Sequence, residues 1–224
     1  MDTMPNWPNS LIYHTEDDIR TREFLTKELK AKLETSYQNL NPAIRFIRIE
    51  TPCLVPTEIV QQHLEADFEL WKIQDEELYL RPESTKSTYA MFPVVFPQKK
   101  QLRKRLPLCL WQQNLSFRAE KDKTFVNMRF KQFYQLEFQL AYSEDTKADY
   151  HACAVTAMNS ALEQLFKKRV EIKEDDLPFY SKKTTDLYLG RWEVIAISSR
   201  TDFEYPIVEV SCGLDRLTSI FLTE

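Results

Sequence analysis

The stretch "FRAEKDKTFVNMRFKQFYQLEFQ", Phe117 to Gln139, decides the fold. Its second half alternates. Lys131, Phe133, Gln135, Glu137 and Gln139 fall on one face of a strand, and Phe130, Gln132, Tyr134, Leu136 and Phe138 on the other. One face is mostly apolar and the other mostly polar. Alternation alone leaves two readings open: the polar face is wet, or it lines a site. Arg118 and Glu120 are two apart on the outgoing strand and point the same way. If that strand pairs with 128–141, Arg118, Glu120, Phe133 and Glu137 share one surface. An arginine, two carboxylates and an aromatic plate suit a nucleotide, with guanidinium for phosphate and ring for base. A ladder of ion pairs on an exposed sheet face has the same pattern.

Working outward, Asp17 to Leu40 reads as a helix, with Ile19, Leu25, Leu29, Leu33 and Tyr37 near helical spacing and Pro42 beyond its end. "IRFIRIETP" reads as a strand running into Pro52, and Thr57 as the cap of a short helix, Glu58 to Leu64. "ELWKIQDEELYLRP" reads as a hairpin turning at Asp75 to Glu77, and Glu83 to Phe92 as a helix. Two long strands follow, Leu108 to Glu120 and Met128 to Ala141. Ala148 to Lys168 is a strong helix whose buried side is expected to carry Ala152, Val155, Met158, Leu162, Leu165 and Phe166. "VEIKEDDLPF" reads as a short strand and loop, "DLYLG", "RWEVIAISS" and "PIVEVSC" as strands and Leu214 to Leu222 as a last helix, with Gly213 allowing a tight turn before it. Strands in hairpin-like succession with helices around them imply an α+β fold with a largely antiparallel sheet. No linker or repeat divides the chain, so one domain over 1–224 is expected.

Composition narrows the function classes. The chain has 224 residues, 43% hydrophobic, enough for a real core. The formal charge of −4 carries no basic excess that demands nucleic acid. The basic run "KKQLRKR", Lys99 to Arg105, is open to two readings, a solvated loop or a segment that touches phosphate. Four well-separated cysteines fit a reduced, cytoplasmic protein, and three scattered histidines give no zinc-ligand spacing. No signal peptide and no membrane-crossing run is expected. Only two glycines occur, Gly190 and Gly213, which excludes a glycine-rich phosphate loop. A bound nucleotide must be held by side chains.

Three further pieces stand in order along the chain: "RIETPCLVP", "LRPES" before the long hairpin, and "VEVSCGLDR" near the end. Together they resemble the catalytic domain of class II aminoacyl-tRNA synthetases, glycyl-tRNA synthetase most of all. "RIETPCLVP" looks like the first class II motif, "FRAE…MRFKQFYQLEFQ" like the second, and "CGLDR" like the third. "LRPES", "FYSKKTTDLYL", "WEVIAISSRTDFE" and "PIVEVSCGLDR" are similar to stretches of the glycyl family. The resemblance covers Ile44 to Thr223, with 1–40 as an N-terminal helical segment and the core over 44–223.

The resemblance implies ATP, Mg²⁺ and an amino acid, most favourably glycine, as ligands, and no zinc. It implies that Arg118 holds the α-phosphate and the amino-acid carboxylate, as a catalytic residue together with Arg216. Glu120 would meet the adenine amino group, Phe133 would stack under the ring, and Arg129, with Phe130 beside it, would meet the γ-phosphate. Arg216 would cap the adenine and bind the γ-phosphate. Glu193 and Val194 match an ATP-contacting pair, Glu193 also a Mg²⁺ ligand. Glu83, Glu137 and Glu209 match carboxylates around the glycine ammonium, and Ser211 a hydroxyl that narrows the pocket. The implied activity is formation of an aminoacyl-adenylate and transfer to a tRNA acceptor end, in a homodimer. The alternatives are transfer to another acceptor, such as a carrier protein, or a non-catalytic binding subunit. The motif arginines and carboxylates are all present, which favours catalysis. Departures exist: Lys86 and Ser87 stand where the family has Gln and Gly, and no anticodon-binding domain is expected over 1–224.

Overall fold

The computed structural model describes residues 12, 14–65, 70–119, 128–174 and 180–223. Helix α1, Glu16–Leu40, starts in a capping box: the Thr15 N–H donates to Asp18 Oδ2 at 2.7 Å, and the Asp18 N–H returns to Thr15 Oγ1 at 3.3 Å. Leu25, Leu29, Leu33 and Tyr37 form its buried stripe. Ile19 is exposed. The first half of the chain continues through β1 (Arg45–Arg48), β2 (Leu54–Pro56), α2 (Thr57–Glu65), β3 (Trp71–Lys72), β4 (Leu78–Leu80), α3 (Thr85–Val95) and α4 (Lys99–Arg105). The second half runs through β5 (Leu108–Phe117), β6 (Gln132–Ala141), α5 (Tyr150–Phe166), β7 (Val170–Glu174), β8 (Ser181–Leu189), β9 (Trp192–Arg200), β10 (Ile207–Gly213) and α6 (Leu214–Thr223).

Seven strands form one sheet in the order β1-β5-β6-β10-β9-β8-β7, and β2-β4-β3 form a small second sheet. Every pair is antiparallel except β1 with β5, so the fold is α+β with a largely antiparallel sheet. Helices α1, α5 and α6 cover one face over Cys109, Leu136, Leu140, Ile195 and Val210. Helices α3 and α4 cover part of the other, where Tyr89, Phe92 and Leu102 pack on Leu108, Leu110 and Ile207. Along the rest of β5, β6 and β10 that second face carries polar side chains, the candidate site residues Glu137, Glu209 and Ser211 among them.

Three expectations change. The buried side of α5 is Tyr150, His151, Ala154, Ala157, Met158, Ala161, Leu162 and Phe166, while Ala152 is exposed and Val155 and Leu165 are half-buried. The stripe is rotated toward alanines because α1 packs against this helix, and small side chains admit a close approach. The basic run 99–105 is a short helix and not a loop. Its Leu102 is buried and Arg103, Lys104 and Arg105 are exposed. Gly213 makes no tight turn: it ends β10, and α6 begins at the next residue. A Cβ there would meet Arg216 Cβ at 4.0 Å, an ordinary contact.

Candidate active site

Burial separates the two readings of the polar hairpin face. On β6, Gln135, Glu137 and Gln139 are buried, as are Gln112 and Ser116 on β5 and Glu209 on β10. Side chains from the three neighbouring strands hydrogen-bond one another, while Gln139 Oε1 has no partner among the described residues. Ser116 Oγ donates to Gln135 Oε1 at 2.7 Å, and Gln135 Nε2 donates to Ser211 Oγ at 2.6 Å. Gln139 Nε2 donates to Glu209 Oε2 at 2.7 Å. Strand register makes this possible, since Glu137 stands opposite Ser211 and Gln139 opposite Glu209.

At one end this network opens into a cavity of about 290 Å³. Of the residues that the sequence singled out, Arg118, Arg129, Phe130, Phe133, Glu193, Val194, Ser211 and Arg216 line it. Arg118 follows the last residue of β5. Its backbone N–H donates to the Lys131 carbonyl at 2.9 Å, and its guanidinium lies 5.4 Å from the Phe133 ring centre. Arg216 sits in the first turn of α6, where Nε donates to the Met128 carbonyl at 3.3 Å and Nη1 to the Glu193 carbonyl. Burial lowers the Arg216 pKa; Glu193 opposes that, and Arg129 and Arg118 add to it. Arg118 and Arg129 thus act on Arg216 as like charges across the cavity they line, which favours an anionic ligand. Glu120 and the connection 121–127 lie outside the described residues.

The expected amino-acid residues form a second, deeper group. Glu137 accepts from Ser84 Oγ at 2.6 Å and from the Ser84 N–H at 3.4 Å. Burial, then Glu209 and Glu83, push its carboxyl up to about 8. Glu209 accepts from Thr85 Oγ1 at 2.8 Å and from Arg200 Nη1 at 3.2 Å as well as from Gln139. Glu83 precedes α3 at the same end and acts electrostatically on both Glu137 and Arg200. Only Ser211 of this group lines the cavity itself, so it joins the two halves.

Sequence reasoning assigned no role to Gln135, Asp215 or Arg200. Asp215 lines the cavity wall and accepts the Tyr134 N–H at 2.7 Å, which fixes the strand beside Phe133. Burial pushes its carboxyl up to about 6. Alternation did place Gln135 on the right face. Arg200 reaches Glu209 from the neighbouring strand, and no local pattern announces that contact.

Among the described residues no three His, Cys, Asp or Glu side chains gather to hold a metal ion. Mg²⁺ is commonly held by one or two carboxylates together with substrate phosphates, and the Glu193 carboxylate on the cavity wall fits that use. No described helix is long and apolar enough to cross a membrane.

The chain is 26% identical over 181 residues to a glycine–tRNA ligase of Macrococcus caseolyticus, an alignment covering 66% of this chain and 38% of the relative. It is 29% identical over 140 residues to a glycine–tRNA ligase of Mycoplasma capricolum, covering 58% and 30%. The chain thus spans well under half the length of these relatives. Among solved structures it is similar to Giardia lamblia prolyl-tRNA synthetase in complex with prolyl-adenylate, with a TM-score of 0.71 and 14% identity. That match covers 96% of this chain and 49% of the other, and it speaks for the fold. Residues 68–221 match the family model of the tRNA synthetase class II core domain (G, H, P, S and T), and the chain belongs to that family.

Proposed function

We propose that this chain activates an amino acid, most favourably glycine, with ATP, and passes it to a tRNA acceptor end. The observation that carries the reading is the two-part site: three arginines around a cavity, continuous through Ser211 with buried carboxylates. In the proposed reaction an oxygen of the amino-acid carboxylate attacks the α-phosphorus of ATP. The bond from that phosphorus to the bridging oxygen breaks, and pyrophosphate leaves. The nucleophile is already ionised, so positioning and charge stabilisation do the work. Arg118 would hold the α-phosphate and the incoming carboxylate as negative charge builds on the phosphorus. Arg129 and Arg216 would take the outer phosphates, and Phe133 the adenine face. Glu193 would hold Mg²⁺, which screens the phosphate charge.

Glycine offers little beyond its ammonium. In this reading Glu83, Glu137 and Glu209 would form the acidic wall around that group, and the Ser211 hydroxyl would narrow the pocket against larger side chains. The distant glycine–tRNA ligases support glycine as the amino acid. Transfer would follow when an acceptor hydroxyl attacks the acyl carbonyl and AMP leaves. A homodimer remains part of the proposal through the family likeness.

The test is amino-acid-dependent exchange of pyrophosphate into ATP across all amino acids, followed by charging of total tRNA. Exchange with glycine is expected. Exchange with none would sink the enzyme reading, and glycine exchange without charging would point to another acceptor.

A further inference from the structure

The carboxylates at the deep end differ in how far their capacity is already used. Glu209 Oε2 accepts from Thr85, Gln139 and Arg200, and its Oε1 faces Arg200 Nη1 at 3.4 Å. Arg200 cannot swing away. Its other edge is gripped by Asp202, Nε to Oδ1 at 3.1 Å and Nη2 to Oδ2 at 2.8 Å, and its plane lies 4.0 Å from the Tyr180 ring centre. Asp202 is held in turn from α3. Lys86 Nζ donates to Oδ2 at 2.7 Å and the Tyr89 hydroxyl to Oδ1 at 3.2 Å. Lys86, Asp202, Arg200 and Glu209 thus form one chain of alternating charge joining α3, the segment after β9, and β10. Its charges sum to zero, and all four side chains are at most 18% exposed.

Glu137 differs. Its hydrogen bonds come from Ser84 alone, a hydroxyl and an amide, and no cation hydrogen-bonds it among the described residues. Glu83, Glu209 and Arg81 act on it electrostatically.

We infer that Lys86 and Asp202 are positioning residues: they lock Arg200 onto Glu209, so that Glu209 is a neutralised wall of the amino-acid pocket and Glu137 meets the α-ammonium. This rests on the amino-acid-activating reading above. The cause runs through charge. Without Lys86, Arg200 is the only cation on Asp202 and is drawn toward it. Its grip on Glu209 loosens, a bare carboxylate reappears beside Glu137, and like charges oppose ionisation of Glu137. The amino acid then loses its partner, while the arginine end of the site is untouched.

The test compares wild type, Lys86→Gln and Lys86→Arg in the exchange reaction. Lys86→Gln is expected to raise the amino-acid KM by about tenfold, equivalent to about 1.4 kcal/mol, with the ATP KM and kcat within about twofold. Lys86→Arg, which keeps the charge, is expected to restore the wild-type KM. An unchanged or lowered amino-acid KM in Lys86→Gln would overturn the inference, as would parallel loss of ATP and amino-acid binding. If wild type exchanges with no amino acid, the function reading fails separately. The ion-pair chain is then read by NMR at the Arg200 Nε–H, assigned with Arg200→Lys. A slowly exchanging signal in wild type and Lys86→Arg that shifts and loses protection in Lys86→Gln supports the inference. A signal unmoved by Lys86→Gln overturns it.

Discussion

The two halves of the site carry opposite charge and are finished to different degrees. Around the cavity, Arg118 and Arg129 add like charge to Arg216, and Phe133 faces Arg118. At the deep end every carboxylate oxygen of Glu137 and Glu209 already faces a donor. The first half gains from a ligand because an anion relieves repulsion. The second half gains nothing from a loose fit, since its geometry is set before anything arrives. In the proposed reading, attraction for polyphosphate and choice of a small ammonium compound would fall to different residues.

Breaking the cationic half should cost most. Arg118→Ala is expected to lower exchange by about two to three orders of magnitude, the range for one preorganised charge at a reacting centre. The folded protein should be no less stable, because a repelling charge is removed; thermal unfolding checks that. Exchange that survives would remove Arg118 from the reaction.

Breaking the deep half is next. Glu137→Gln should raise the amino-acid KM by about a hundredfold, the scale of a lost hydrogen-bonded charge contact, and leave the ATP KM near wild type. The same residue sets a pH dependence. Its folded carboxyl is raised from 4.5 to about 8, so its contribution to stability is fully present below 4.5 and is lost as pH climbs through 8. An ammonium favours the ionised form. Amino-acid KM in wild type should therefore fall as pH rises from 5 to 8, by at most about tenfold per unit. Glu137→Gln should flatten that profile and, without ligand, lose less stability than wild type over the same window. A flat wild-type profile would mean that Glu137 is not the group that meets the ammonium.

A smaller effect sharpens the boundary between the halves. Phe133→Ala should raise the ATP KM by roughly tenfold, the scale of one base stacked on a ring, with the amino-acid KM unmoved. Equal changes in both would show that Phe133 supports the whole site and not the nucleotide alone.

The long hairpin, the register of its faces and the general fold were legible because β-strand alternation repeats every two residues. What alternation could not say was whether Gln135, Glu137 and Gln139 were wet. A buried polar face and a solvated one have the same sequence pattern, and only the donors brought by β5, β10 and α3 distinguish them. The buried side of α5 was misread for a related reason: Ala154, Ala157 and Ala161 carry little hydrophobic signal, yet they admit α1. Lys86 and Asp202 meet across 116 residues, so no window along the chain could pair them. The smallest prediction lies far from both halves. Asp149→Ala removes the acceptor for the Ala152 N–H at the start of α5 and should cost about 1 kcal/mol of stability while leaving exchange unchanged.

Arg81 belongs to neither half, yet it sets how the molecule comes apart. Its guanidinium is fully buried and donates to the carbonyls of Thr51 and Pro52, to the Thr51 hydroxyl, and to the carbonyl of Leu115. Three stretches remote in sequence converge on one ion that cannot reach water. The small sheet of β2, β3 and β4 therefore cannot peel from the large one without exposing or stranding that charge. Heating should melt both sheets in a single cooperative transition, and protection against hydrogen exchange at Tyr79 should follow that of Leu110.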